Sequence, residues 1–316
     1  MVATCPICAA RDMRIRLSAY DDRYAFPGIF TICRCRLCRH GYVVPSPAHE
    51  DDGRLYTAYY PRASYDIVGF RPKAFSRGFG SWLNGEACAA GKWVPPRVKI
   101  LDIGCGFGEI LAYHQARGCD AYGVEVDENV RKVAERFRLQ VRIGPFDAGC
   151  YAPESFDYVT MQQVIEHLDR PVETLRDVAF LLHGGGYAVL STPNANGWGA
   201  RVFGRRWINW HVPYHRHYFS RASMKLAAQA AGLVVESSWT ITSSEWLRYQ
   251  WHHLLTYPAE GEVSAYWSPL GKCSRMIRLM QKLPEGLHRA RINHLVTRGF
   301  DALGMGDNYL FLLRKP

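Results

Sequence analysis

From residue 97 to 240 the chain alternates short apolar, β-branched runs with stretches in which apolar residues recur every third or fourth position. The short runs predict strands at 98–103, 120–125, 140–144, 156–161, 186–192 and 233–238, and a last one at 308–314. The longer stretches predict helices at 107–117, 127–137, 171–182 and 220–231. Alternation of this kind belongs to a parallel, doubly wound α/β sheet covered by helices on both faces. Before the last strand, residues 244–300 are rich in Trp, His, Leu and Arg at helical spacing (Met276, Leu279, Met280, Leu283), which predicts a helical insertion over the functional face. Upstream lie tyrosines, prolines and glycines (Tyr56, Tyr59, Tyr60, Pro61, Tyr65), then a predicted helix from Pro72 to Ala90; Pro95-Pro96 marks the entry to the core. The expected units are 1–60, 61–243, 244–300 and 301–316, the last returning to the core as a strand.

The most specific pattern is Val98-Lys99-Ile100-Leu101-Asp102-Ile103-Gly104-Cys105-Gly106-Phe107-Gly108-Glu109. A buried strand runs into a tight glycine turn and then a helix N-terminus, which lets backbone approach a nucleotide-type ligand. A dinucleotide turn wants a small residue where Glu109 stands, and here the third glycine comes one residue early. That spacing points to S-adenosylmethionine (SAM), not NAD. Glu125 closes the next apolar run (Ala121-Tyr122-Gly123-Val124), where an acid accepts from both ribose hydroxyls. Its plainer role is to cap the following helix beside Asp127-Glu128.

Composition narrows the class. The 316 residues suffice for an α/β core and a small second module. No 18-residue apolar run predicts a membrane span, and the start, Met1-Val2-Ala3-Thr4-Cys5, lacks signal-peptide character, so a cytoplasmic setting is expected. There, ten cysteines bind metal rather than pair. Cys5-Pro6-Ile7-Cys8 and Cys35-Arg36-Leu37-Cys38 form two C-x-x-C knuckles, a closed four-thiolate set for structural Zn²⁺ through Cys5, Cys8, Cys35 and Cys38. Cys33 is a spare. The net charge of +10 suits an acidic partner such as a nucleotide-sugar, phosphorylated lipid, acidic glycan or nucleic acid.

Four further stretches carry a family likeness: Phe156 to Leu168, with its Val164-Ile165-Glu166-His167-Leu168 continuation; Leu181-Leu182-His183-Gly184-Gly185-Gly186-Tyr187 with Ser191-Thr192-Pro193-Asn194; Phe203-Gly204-Arg205-Arg206-Trp207; and Pro213 to Ser220. With the N-terminal cysteines and tyrosines, they make the chain resemble class I SAM-dependent methyltransferases, above all the branch that modifies sugars, glycans and small metabolites and carries a zinc ribbon. The resemblance implies a seven-stranded Rossmann-like sheet and these cofactor contacts. Gly104, Cys105 and Gly106 lie at the methionine end, with Asp102 fixing the turn and the amino group. Glu125 and Val126 lie at the ribose, Phe146 and Asp147 at the adenine, and Gln162 and Gln163 beneath the methyl donor. Gln162 reads equally well as a satisfied polar residue at a strand end. Gln163 stands where metal-dependent relatives, such as ubiquinone-pathway O-methyltransferases, have a glutamate, which argues against a catalytic metal.

For a hydroxyl acceptor the proton must leave, and imidazole is the side chain suited to take it near neutrality. His215, in a Pro/His/Tyr/Phe loop flanked by His211 and His217, is the first choice as base, ahead of His167 oriented by Glu166; the latter two read equally well as packing residues. The expected reaction is O-methylation of a sugar, nucleotide-sugar, glycan or secondary metabolite. N- or C-methylation of a nucleotide-sugar is the close variant. A nucleic-acid substrate is disfavoured: strand four ends in Met161-Gln162-Gln163, without the [DNS]-P-P-[YF] motif, and the basic residues are dispersed. The oligomeric state is not legible.

Overall fold

The computed structural model describes residues 4–46, 55–59 and 69–316. Tyr60, Pro61, Tyr65, the side chain of Tyr56 and the expected boundary at 60/61 lie outside the described residues.

The N-terminal segment is a small antiparallel sheet of β1 (Met13–Ala19), β2 (Phe30–Cys35) and β3 (Gly41–Val44). Next comes α1 (Gly78–Asn84), much shorter than the helix expected from Pro72 to Ala90. Gly85 adopts φ 70° and ends it, returning its N–H to Ser81 and Trp82, and two short 3₁₀ turns follow at Glu86–Cys88 and Ala90–Trp93. The alternating core then runs β4 (Lys99–Ile103), α2 (Glu109–Gln115), β5 (Asp120–Glu125), α3 (Val130–Phe137), β6 (Gln140–Ile143), β7 (Phe156–Gln162), α4 (Pro171–Leu181) and β8 (Leu182–Pro193). After α5 (Trp198–Val202) come β9 (His217–Tyr218), α6 (Arg221–Ala230) and β10 (Val234–Thr240). The insertion supplies α7 (Ser244–Leu255), α8 (Arg275–Met280), α9 (Lys282–Arg289) and α10 (Ile292–Ala302) before β11 (Asn308–Arg314).

The seven-stranded sheet has the order β10-β11-β8-β7-β4-β5-β6. Ile100 and Ala121 turn toward Leu111 of α2 and Val133 of α3, whereas Leu101, Val159 and Met161 pack with Leu175 and Val178 of α4 and Met224 of α6. Burial on both faces explains why these strands read as continuous apolar runs. The chain winds outward from β4 in both directions, so β4 and β7 flank a switch point whose carboxyl-end crevice is the natural ligand position. The sheet is mixed rather than wholly parallel, because β11 runs antiparallel to both β8 and β10. Thr240 ends β10 opposite Tyr309 near the start of β11, so the insertion leaves and re-enters at one edge and the strand must run back.

The ribbon does not stand apart. β9, which belongs to the core portion of the chain, adds a fourth strand to it, with Gly41 opposite Tyr218 and Tyr42 opposite His217. A side chain at Gly41 would press on the Tyr218 Cβ at 3.0 Å. Tyr24, Phe30, Ile32 and Val43 of the ribbon share one apolar cluster with Trp207, Trp210, Val212, Tyr214 and Tyr218. Trp210→Ala should therefore cost about 3–5 kcal/mol and raise amide exchange in β2, β3 and residues 207–218 together. Exchange rising in only one of the two would show that they fold separately.

Candidate functional site

The glycine turn begins where β4 delivers Asp102. Gly104, Gly106 and Gly108 all take positive φ (72°, 54° and 88°), and the Gly104 and Cys105 amides donate to the Val124 carbonyl at 2.8 and 3.1 Å. A Cβ on Gly104 would lie 2.5 Å from Val164, and one on Gly108 2.5 Å from Leu139, whereas one on Gly106 would meet nothing within 4 Å. Gly106 thus faces open space at the carboxyl edge of the sheet, a cradle with room for a ligand against bare backbone. The Cys105 thiol is buried in the apolar cluster that holds Leu111. Asp102 is buried beneath and accepts from the Thr160 hydroxyl at 2.6 Å.

Glu125 ends β5 against this turn. Its carboxylate accepts from the Gly106 amide at 2.9 Å and from the amides of Val126 and Asp127 at 2.8 and 3.0 Å. The carboxylate thus braces the glycine turn and shapes the start of the next loop, and the following helix begins only at Val130, behind Asn129. Val126 is exposed beside it. Phe146 packs on the main core, while Asp147 caps the short turn at Ala148–Cys150 by accepting from Gly149 at 2.9 Å.

The two glutamines are held on the side of β7 that meets β8. Gln162 accepts from the Ala90 amide at 2.6 Å and donates to the Ser191 hydroxyl at 3.1 Å. Gln163, at φ 55°, donates to Ser191 and to Asn308, each at 2.8 Å. The satisfied-polar reading expected as one alternative for Gln162 describes its amide, and Gln163 shares that network.

The loop after β7 and the loop before β9 bring Glu166, His167 and His215 together: one ligand atom from each lies within 4.8 Å of the others. The imidazoles of His167 and His215 meet edge to face with centroids 4.6 Å apart, and His211 lies 5.0 Å from His215. His215 Nδ1 donates to the Asn209 carbonyl at 2.9 Å, and His167 is hydrogen-bonded to the Tyr214 backbone. Each ring therefore keeps its second nitrogen as a lone-pair acceptor. Burial holds His215 well below the usual histidine range, His167 down at about 4, and the Glu166 carboxyl up at about 8. Neither Glu166 oxygen has a well-formed hydrogen-bond partner. Such a set can accept a proton or hold a divalent cation. His217 turns the other way and meets His40 of the ribbon at 3.0 Å.

A methyltransferase domain model matches residues 62–238. The chain belongs to the methyltransferase domain family. It is a SAM-dependent methyltransferase. It is similar to ubiquinone biosynthesis O-methyltransferases of Chromobacterium violaceum (28% identical, covering 49% of this chain and 70% of that protein) and Stutzerimonas stutzeri (27%, 49% and 70%). Among solved structures it is similar to a Haloferax volcanii methyltransferase in complex with the Trm112 methyltransferase activator. That match is 19% identical, covers 74% of this chain and 90% of the other, and has a TM-score of 0.47.

In the methyltransferase the N-terminal cysteines converge as their spacing implied. Cys5 and Cys38 sulfurs lie 3.5 Å apart and Cys8 and Cys35 sulfurs 3.6 Å apart, close to the tetrahedral edge of roughly 3.8 Å for thiolates around one Zn²⁺. Cys33 stays outside the set. Sequence reasoning missed Thr160, Asn209 and Tyr214, whose contacts orient Asp102, His215 and His167. Only their neighbours in space reveal them.

Burial holds the Asp102 carboxyl up at about 7, against an ordinary 3.8; the Thr160 hydroxyl works against that rise and the Glu125 charge adds to it. The folded state thus keeps a proton that the unfolded chain has already released, so this group's contribution to stability falls as pH rises from about 4 to 7 and then levels. Asp102→Asn removes that dependence. The variant's melting temperature should gain on the parent's between about pH 5 and 8, by up to a few kcal/mol in stability. An equal gap at both pH values would mean that Asp102 is ionised throughout.

Proposed function

We propose that this methyltransferase methylates a hydroxyl of a small molecule, with a sugar, nucleotide-sugar, glycan or secondary metabolite as the acceptor. The observation that carries the reading is the Glu166–His167–His215 cluster beside β7, buried at Glu166 and His215 and partly exposed at His167. The relatives named as O-methyltransferases support an oxygen acceptor. N- or C-methylation of a nucleotide-sugar is the alternative, and it would need no such base.

In this reading Asp102, Gly104, Cys105 and Gly106 hold the methionine end of SAM, Glu125 and Val126 the ribose, and Phe146 and Asp147 the adenine. The open space at Gly106 and the two carboxylates around the turn fit that ligand. Bound there, SAM supplies an electrophilic methyl group. Gln162 and Gln163 lie at the strand end beneath the donor, held there by Ala90, Ser191 and Asn308. His215, kept neutral by burial and fixed by Asn209, takes the acceptor's hydroxyl proton on Nε2 as the oxygen attacks. His167 and Glu166 hold that imidazole in place. The insertion lies on the acceptor side: Gln250 of α7 accepts from the Ile208 amide and donates to the Arg206 carbonyl, both at 2.8 Å, bracing the loop that carries His211 and His215.

A second reading rests on the same three side chains, which could hold a divalent cation without Gln163. One experiment separates the two. His215→Ala should lower turnover roughly 10²- to 10⁴-fold with SAM affinity nearly unchanged, and the parent should keep its rate in chelator. Loss of the parent's activity in chelator, restored by Mg²⁺ or Mn²⁺ while elemental analysis shows the four-cysteine zinc still bound, would favour the cation. A full rate in His215→Ala would remove this side chain from both readings.

We also assign a structural Zn²⁺ to Cys5, Cys8, Cys35 and Cys38, supported by the sulfur spacing. Purified protein should contain about one zinc per chain by elemental analysis, and Cys35→Ser should lose it and lower the melting temperature. A zinc-free but equally stable parent would refute the assignment.

A further inference from the structure

Helix α10 is inside out. Its buried residues are Asn293, His294, Thr297 and Arg298, while Ile292, Leu295 and Val296 point to solvent, Leu295 at 60% exposure. A surface helix ordinarily buries its apolar stripe and leaves the polar one wet. Here the polar side is anchored: Arg298 donates to the carbonyls of Trp82 and Thr242, and Asp301 accepts from the Thr242 amide and hydroxyl. The neighbouring helices extend the apolar exposure. Met276, Leu279 and Met280 of α8 and Leu283 of α9 are all exposed, as are Phe79 and Trp82 of α1, whose rings lie 5.3 Å apart. α8 packs on α9, α9 on α10, and α10 on α1, so these residues belong to one run of contiguous helices.

The charge on this run is one-sided. Lys272, Arg275, Arg278, Lys282, Arg289 and Arg291 are exposed, and Glu285 is the single acidic residue between Glu262 and Asp301. Glu285 is turned inward, 2.8 Å from His252 and 3.2 Å from Arg248 of α7. Leu and Met interleaved with exposed Lys and Arg are what an interfacial helix presents to a membrane: apolar tips for the acyl boundary and cations for headgroup phosphates. None of the described helices is long and apolar enough to cross a membrane, so contact would be from the side. A two-fold pairing of this face with its own copy would set six cations against the same six.

We propose that the α8–α10 face, with Phe79 and Trp82 of α1, docks the protein on an anionic lipid surface. The full chain should pellet with phosphatidylcholine–phosphatidylglycerol vesicles at about 3:1, and about tenfold less with phosphatidylcholine alone or at high salt. Leu279→Ser/Leu283→Ser/Leu295→Ser retains every charge and should lower the partition about tenfold, as should Arg275→Gln/Arg278→Gln/Lys282→Gln. These side chains are exposed and outside the glycine turn, so the melting temperature and SAM affinity of both variants should match the parent's, which keeps a loss of docking distinct from a loss of fold or of cofactor binding. Three outcomes would overturn the proposal: no pelleting, equal pelleting with both vesicle types, or undiminished pelleting of the serine variant. A dimer in solution with no vesicle binding would likewise refute it and make this face an interface between copies of the chain.

Discussion

The backbone carbonyl of Glu166 accepts from the amides of both Arg216 and His217, at 2.8 and 3.1 Å, and much of the molecule depends on that shared acceptor. It ties the loop leaving β7 to the segment entering β9. The first consequence is local, because the tie brings the His215 imidazole against His167 and the Glu166 side chain. The second is long-range. Once that segment is placed, His217 and Tyr218 can pair with Tyr42 and Gly41, and the cysteine ribbon becomes the outer layer of the same body. Each such bond contributes only about 1 kcal/mol net, but leaving the buried donors unpaired would cost more.

The site opposes the stability of its surroundings. Glu166 is buried without a well-formed partner, and burial favours the neutral form of the neighbouring histidines, fully buried at His215 and partly so at His167. A core designed only to be stable would replace them with aliphatic side chains of similar volume. The sheet beneath supports that cost through a long apolar interior, from Leu101 and Val159 to Leu190 and Phe311. The glycine turn shows the same division: Glu125 clamps three amides so that the open space at Gly106 keeps its shape.

The helical insertion is joined to the body by an aromatic seam, with Trp246, Tyr249 and Trp267 on the Trp207–Trp210 cluster and Phe300 stacked on Trp198, and by side-chain-to-backbone links. Gln250 reaches the 206–208 loop, Ser244 the end of α1, and Arg298 the carbonyls of Trp82 and Thr242. Polar anchoring of this kind leaves the apolar side chains of α10 facing outward. Gln250 also links the insertion to the start of the loop that carries His215.

Local patterns in the chain were enough for the strand order along the sequence, the SAM-type glycine turn, the Glu125 position and the four-cysteine set. Each of these depends on residues close in sequence or on spacing that the backbone transmits directly. The helix expected from Pro72 to Ala90 failed at Gly85, whose left-handed conformation stops α1. The antiparallel last strand was not legible, since it follows from where the insertion re-enters the sheet. Histidine roles were divided in sequence between His215 and the Glu166–His167 pair; the fold makes them one cluster, with Asn209 and Tyr214 as their supports. Gln162 and Gln163 were placed at the correct strand end, but their side chains bind Ala90, Ser191 and Asn308, partners contributed by other segments. Whether a side chain faces a ligand or a neighbour is decided by contacts between distant segments, and one-dimensional periodicity carries no record of them.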